Sequence, residues 1–285
     1  MTYWPRTEPE DGAALVAAVN AATGAGLTYA GRLPGGNAGA ALAVRDGYEL
    51  VVTYWDAVSL ARAAVVEDLV GRLTAVGYPA PAYELVPLEA GAAVLAERVD
   101  GVPGAPPTPR LVEAVLALTD LQAGRADSPG DGPSDLCLTA DGGGFCLHGP
   151  PRAYSAATRE LIGWVEDVGR SVPDDAFRGH DVVHFDLHLD NVLVRPADPE
   201  RVAAVVDWAG VRPGDRELDL VTFGFDATRR GGDPGPVRER LDPDRARPFV
   251  AHLALRYVDW VIRHGTAGDV ADWLAVAAGW RAWTG

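Results

Sequence analysis

Four prolines fall between Gly101 and Arg110, in the order Gly-Val-Pro-Gly-Ala-Pro-Pro-Thr-Pro-Arg. Neither a helix interior nor a central strand tolerates that many missing N–H groups. Residues 100–110 therefore read as a hinge between two regions of different pattern. In residues 1–99 a helix over Ala13 to Ala22 ends at Gly24 and Gly26. Apolar or alternating runs follow at Leu27 to Arg32, Ala40 to Val44 and Tyr48 to Trp55, separated by Pro34-Gly35-Gly36-Asn37 and Asp46-Gly47. Such runs between turn residues predict an antiparallel meander. A helix over Ser59 to Val76 and strands at Tyr83 to Val86 and Ala92 to Val99 complete this half. In residues 111–285 helical periodicity covers Leu111 to Gln122, Ser155 to Val168, Phe249 to Arg263 and Asp269 to Trp283. Short strands are expected at Val182 to Phe185, Val192 to Arg195 and Ala203 to Val206. Arg229 to Asp244, rich in Gly, Pro and charge, reads as a mobile loop. The fold class is α+β, a sheet with helices followed by a mostly helical part.

Composition removes several chemistries. All 25 cationic residues are Arg and none is Lys, which excludes a P-loop, a Schiff-base lysine and a Ser-Lys nucleophile. The net charge of −15, with no polybasic run, argues against nucleic acid and membrane surfaces and favours cationic ligands. Glu8, Glu10 and Asp11 precede the first apolar run, the reverse of a secretory signal, so a cytoplasmic protein is expected. Cys137 and Cys146 are too few for a disulfide scaffold. They flank Asp141-Gly142-Gly143-Gly144 and read as small buried thiols on two short strands joined by a turn. A zinc site with His148 lacks the spacing it needs.

The stretch Val183-His184-Phe185-Asp186-Leu187-His188-Leu189-Asp190-Asn191 carries the chemistry, followed by Val205-Val206-Asp207-Trp208. Phosphoryl transfer needs a carboxylate to orient and deprotonate a hydroxyl, oxygen ligands for Mg2+ and shielding of phosphate charge. Asp186 supplies the first, and Asn191 and Asp207 the second, a hard oxygen set suited to Mg2+. His184 reads as a structural residue that holds the loop. A rival reading makes His184, Asp186 and His188 a metal triad on one face of a continuing strand.

At these residues the chain resembles the aminoglycoside phosphotransferase family, small-molecule kinases with a bilobal, protein-kinase-like fold. His184-x-Asp186-x4-Asn191 matches the catalytic loop of that family, Val205-Val206-Asp207-Trp208 its metal motif, and Gly214-Asp215-x3-Asp219-Leu220 the stretch that follows. The resemblance implies Asp186 as catalytic base, Asn191 and Asp207 as metal ligands, and Asp219 as a support that hydrogen-bonds the catalytic loop. It divides the chain into an N-lobe for nucleotide over residues 1–99 and a C-lobe with the catalytic loop, metal site and acceptor pocket over 111–285. It implies ATP, or GTP, as donor, with Gly35, Gly36 and Asn37 near the phosphates and the base near Glu97 and Val99. Glu67 stands where a helix Glu pairs with a third-strand Lys, but Thr53 occupies the lysine position. Arg32, Arg45, Arg62, or Mg2+ with the backbone of loop 34–39, are the candidate replacements. For the acceptor, chain order nominates Asp190, Asp226, Asp259 and Asp272, with Trp260 and Tyr257 for cation–π contact.

The expected activity is O-phosphorylation of a small cationic antibiotic, an aminoglycoside or a basic cyclic peptide of the viomycin and capreomycin type. A kinase of a metabolic alcohol such as choline, homoserine or a sugar is the alternative within that chemistry. A nucleotide-binding pseudokinase is the alternative outside it. Oligomeric state has no signal in the sequence.

Overall fold

The computed structural model describes residues 12–33, 40–55, 62–89, 91–104 and 107–285. Helix α1 (Gly12–Thr23) is followed by strands β1 (Thr28–Leu33), β2 (Ala40–Arg45) and β3 (Tyr48–Trp55). After helix α2 (Ala63–Thr74), strands β4 (Tyr83–Leu88) and β5 (Gly91–Glu97) complete an antiparallel sheet of order β1-β2-β3-β5-β4. The β2–β3 hairpin turns at Asp46 and Gly47, both left-handed at φ 52° and 83°, the geometry that a two-residue hairpin requires of its central pair. Alternation buries Ala41 and Ala43 of β2 and Leu50 and Val52 of β3, which join Val16 and Val19 of α1 in a small hydrophobic cluster.

A much larger cluster occupies the rest of the chain. Its helices are α3 (Pro109–Leu121), α4 (Gly149–Tyr154), α5 (Ala156–Ser171), α6 (Glu217–Arg229), α7 (Gly235–Arg238), α8 (Pro243–His264) and α9 (Ala267–Trp283). Strand β6 (Val102–Pro103) pairs with β8 (Val192–Arg195), which pairs with β9 (Asp198–Val205), while β7 (Asp181–Val183) pairs with β10 (Arg212–Gly214). Helix α2 belongs to this larger body, because Val66, Leu69, Val70 and Leu73 pack into its cluster rather than against the five-stranded sheet.

Two expectations, the strands at the cysteines and the mobile loop over 229–244, need correction. The proline segment, read as a hinge, is anchored at its described ends. Pro103 sits on an edge strand, the Gly104 N–H donates to Leu189 O (3.1 Å) and Val192 O (2.8 Å), and Pro109 opens α3 behind the Thr108 cap. Cys137 and Cys146 lie on no strand. Both have left-handed backbones, φ 50° and 53°, which end strand geometry, and a 3-10 turn covers Pro133–Leu136. The segment 229–244 is ordered by α7 and by the start of α8, where the Asp242 carboxylate accepts the N–H groups of Asp244 (2.9 Å) and Arg245 (3.2 Å).

Two glycines on helices test how the packing is set. A Cβ at Gly71 of α2 meets nothing within 4 Å, whereas one at Gly224 of α6 lies 2.5 Å from Trp280. Gly71→Ala is expected to stabilise by about 0.5–1 kcal/mol through helix propensity. Gly224→Ala gains the same propensity but loses about 1–3 kcal/mol to overpacking, so its melting temperature falls. Calorimetry of the two variants reads the opposite signs.

Candidate active site

Strand β7 ends at Val183, and the next residues leave its path because Phe185 adopts φ 72°. A left-handed backbone is unfavourable for a bulky residue, and side chains hold it there. The Asp219 carboxylate, fully buried on α6, accepts the N–H of His184 (2.6 Å) and of Phe185 (2.9 Å), together with Gln122 Nε2 (2.8 Å). Burial pushes the Asp219 carboxyl up to about 7, against the pull of these three donors. Arg256 of α8 donates to Phe185 O at 2.6 Å, and the Arg212 guanidinium lies 3.8 Å over the Phe185 ring.

Asp186 is thereby turned into the cleft. Its Oδ1 lies 3.0 Å from Arg256 Nη2 and its Oδ2 3.6 Å from His188 Nε2. Burial raises the carboxyl, but the Arg256 guanidinium and then His188 outweigh it and hold Asp186 well below the usual carboxylate range. Burial by itself would lower His188, and the charge of Asp186 overrides it and leaves that imidazole raised. Asn191 Nδ2 donates to Asp186 O at 2.9 Å and meets His188 Nε2 at 3.3 Å, which leaves its amide oxygen as the atom for a cation. Backbone pairing from Val206 N to Asn191 O (2.9 Å) sets Asp207 beside Asn191. Asp207 is left-handed at φ 65°, and among the described residues its carboxylate makes no hydrogen bond or ion pair. Although it opens to solvent, the protein around it and then the charge of Asp186 push it up. An unpartnered carboxylate raised by a neighbouring one, next to a free amide oxygen, fits a divalent cation.

His184 is fully buried, with Nε2 on Val206 O (2.9 Å) and Nδ1 accepting the Asp186 N–H (3.3 Å). Burial pushes it down to about 4, so it is the neutral Nε2–H tautomer. Both nitrogens are occupied, and the strand does not continue past Val183, so the metal triad of His184, Asp186 and His188 does not form.

The other nominated residues divide. Gly35, Gly36 and Asn37 lie outside the described residues. Glu67 is exposed on the face of α2 away from the core, Glu97 is exposed at the end of β5, and Val99 is half-buried. Among the arginines offered in place of a lysine, Arg32 is exposed on β1 and Arg45 pairs with Glu84 at 3.0 Å. Arg62 alone of the three reaches the cleft, donating to Val211 O at 2.8 Å. Asp190 pairs with Arg230 at 2.9 Å. Asp226 is buried, accepts the Leu189 N–H (2.9 Å) and pairs with Arg230 (3.0 Å), so it supports the loop from behind. Asp259 is fully buried against Arg263 (2.7 Å) and the Leu147 N–H (3.0 Å). Trp260 packs on His264 and Tyr257 stacks on Trp273, while Asp272 is exposed on α9. None of the residues nominated for the acceptor lines the cavity of about 560 Å³ whose wall includes Arg62, Asp135, Cys137, Asp141, Phe145 and Arg212. That cavity adjoins Asp186 through Arg256, whose guanidinium lies 5.6 Å from the Phe145 ring. Arg256 and the cavity loop carry no motif, and sequence reasoning missed both; His188, a candidate metal ligand in the sequence, instead meets the Asp186 carboxylate.

Residues 32–253 match the model of the phosphotransferase enzyme family, APH. No curated protein matches in sequence. Among solved structures, a thermostable mutant of aminoglycoside phosphotransferase APH(4)-Ia superposes with TM-score 0.65 at 16% identity, over 90% of this chain and 94% of that one. Aminoglycoside phosphotransferase APH(3'')-Id from Streptomyces rimosus, with ADP and streptomycin, gives 0.56 at 20% identity over 85% and 97%. Choline kinase LicA from Streptococcus pneumoniae gives 0.60 at 12% over 90% and 94%. At these identities the likeness is one of fold, the bilobal kinase-like α+β architecture.

Asp219→Asn keeps the volume but turns an NH2 group towards one of three N–H donors. A loss of about 1–3 kcal/mol is expected for the unsatisfied contact, read as a lowered midpoint in urea unfolding with an unchanged slope.

Proposed function

The chain belongs to the phosphotransferase enzyme family, and from that premise we propose that it moves the γ-phosphoryl group of ATP to a hydroxyl of a small cationic, hydroxylated molecule. The observation that carries this is the cluster of Asp186, Asn191 and Asp207 on two backbone segments joined by hydrogen bonding, with the Asp207 carboxylate unpartnered among the described residues. Asp186 orients the acceptor hydroxyl and takes its proton. Held well below the usual carboxylate range, it is a weak base. That suits a loose transition state in which little proton transfer precedes cleavage of the phosphate bond. Asn191 and Asp207 would hold Mg2+, whose charge would offset that of the phosphate oxygens. Arg256 is a positioning residue, tethering the Phe185 carbonyl and the Asp186 carboxylate from α8. Of the three arginines nominated in place of a lysine, Arg62 is the one we assign to the phosphates, because it reaches the segment after Asp207.

Support for a cationic antibiotic as acceptor comes from the net charge of −15 and from fold relatives solved with hygromycin B or streptomycin. Three of the four nominated carboxylates do not add to it, since Asp190, Asp226 and Asp259 are already paired with arginines. Arg62 and Arg212 stand in the cavity wall with Asp135 and Asp141, which favours a neutral or zwitterionic metabolic alcohol as the second reading. Nucleotide turnover against a panel of aminoglycosides, basic cyclic peptides and neutral or zwitterionic alcohols such as sugars and homoserine, with ATP and GTP compared, separates the two. Turnover with none of them in the presence of Mg2+ overturns both readings and leaves a nucleotide-binding regulator.

Two substitutions check the roles. Asp186→Asn is expected to lower kcat by about 100-fold or more with nucleotide affinity retained, whereas Asp207→Asn weakens both. Equal loss of nucleotide binding would reverse the assignment.

Arg256→Met removes the guanidinium that keeps Asp186 ionised, so the folded-state pKa of Asp186 rises. The acid limb of the kcat/KM profile then moves to higher pH by about one to two units, while the alkaline limb stays. An unmoved acid limb would show that Arg256 acts only on the backbone.

A further inference from the structure

The loop that lines the cavity brings together three groups that phosphoryl transfer does not use. Cys137 Sγ, Cys146 Sγ and a ring nitrogen of His252 lie within 4.8 Å of one another. Cys146 and His252 are fully buried, whereas Cys137 is half-buried and forms part of the cavity wall. The turn between the cysteines closes tightly. A Cβ at Gly142 would lie 2.4 Å from Phe145 O and 3.0 Å from Cys137 Sγ, and the Gly144 N–H donates to Gly142 O at 2.7 Å. Both cysteines hold left-handed backbones, an unfavourable conformation that simple space-filling by small apolar residues does not call for.

We propose that Cys137 and Cys146 are an oxidisable pair that closes to a reversible disulfide on exposure to a hydroperoxide, with Cys137 attacking and Cys146 resolving. Exposure separates the roles, because Cys137 is half-buried in the cavity wall whereas Cys146 is fully buried. The Cys146 thiol, then the guanidinium groups of Arg212 and Arg256 against the opposing burial and Asp135, lower the Cys137 thiol, while burial raises Cys146. A depressed, accessible thiol beside a second cysteine is the usual setting of a redox-sensitive pair. The Cys137 thiolate attacks one peroxide oxygen, the O–O bond breaks, and the alkoxide leaves with the former thiol proton as an alcohol. The Cys146 sulfur then attacks the sulfenic sulfur, an S–S bond replaces the S–O bond, and water leaves with the Cys146 proton. Two thiols and one hydroperoxide give one disulfide, one alcohol and one water, the pair losing two electrons. The sulfurs must approach to about 2.0 Å, and open space at Gly143, where a Cβ meets nothing within 4 Å, gives the turn room to move.

A metal site from the same three residues is disfavoured. His252 Nδ1 already lies 2.5 Å from Leu136 O, and Cys146 Sγ is 3.9 Å from that nitrogen. Arg212 and Arg256 face the cluster from β10 and α8, and their charges repel a further cation.

Treating the purified full chain with hydrogen peroxide tests this by thiol count, intact mass and peptide mapping. Expected are loss of both free thiols, a mass lower by two hydrogens, a 137–146 crosslink, and full reversal by a dithiol. Cys146→Ser should stop at a sulfenic acid on residue 137 that a 1,3-dione traps, and Cys137→Ser should leave Cys146 unoxidised. Persistent free thiols, faster oxidation of Cys146 in Cys137→Ser, or thiols that react only after a chelator is added would each overturn the proposal, the last in favour of a bound metal. A change in acceptor KM on oxidation rests on the cavity being the acceptor pocket. The mass and thiol readouts stand whether or not that reading holds.

Discussion

The hydrogen bonds from the His184 and Phe185 N–H groups to the buried Asp219 carboxylate are the contact on which the cleft depends. They hold Phe185 at φ 72°, a conformation whose cost is on the order of 1–3 kcal/mol. Bonds to a charged acceptor contribute about as much each, so the carboxylate offsets the strain and the turn persists. Without that turn Asp186 would continue the line of β7. With it, Asp186 leaves the strand and comes under Arg256, and Asn191 closes the loop by donating to the Asp186 carbonyl.

The second constraint is electrostatic. Asp186 and Asp207 raise each other's cost of ionisation, and among the described residues Asp186, not Asp207, is ion-paired with a permanent cation. The site therefore holds one carboxylate that stays charged and one whose charge calls for a partner. Arg256 is suited to this because its guanidinium is always charged and its planar fork reaches a carbonyl and a carboxylate together. Behind the loop, Asp226 and Arg230 repeat the pattern, the carboxylate accepting the Leu189 N–H while the guanidinium neutralises it.

Packing decides how the two hydrophobic clusters meet at the cleft. Helix α2 lies between β3 and β4 in sequence, yet its apolar face joins the larger cluster, beside Trp208 and β10. Arg62, just ahead of that helix, donates to the Val211 carbonyl after the Asp207 turn. Movement of the small sheet relative to the large body would therefore leave Arg62 with the Asp207 turn and the cavity.

The sequence by itself determined the local elements and the residues that bear the chemistry. Strand β3 at Tyr48–Trp55 and strand β8 at Val192–Arg195 lie where alternation and apolar runs predict them, and Asp46-Gly47 makes the turn its residue types demand. These depend on φ and ψ preferences and on neighbours within a few positions, so they survive in one dimension. The tertiary structure decided which charges remain available. Asp226 and Asp259 look like free carboxylates in sequence, but each is buried against an arginine one helical turn away and a backbone N–H supplied by another segment. The contacts of Asp219 with Gln122 and of Arg256 with Phe185 join residues 97 and 71 positions apart, beyond the reach of any periodicity. The two short strands expected around Cys137 and Cys146 failed for the same reason. Of their apolar neighbours Leu136 and Leu138 are buried in the large cluster, while the backbone at both cysteines turns left-handed. Burial and ion pairing are properties of surfaces brought together from distant parts of the chain, and only the folded chain fixes which surfaces meet.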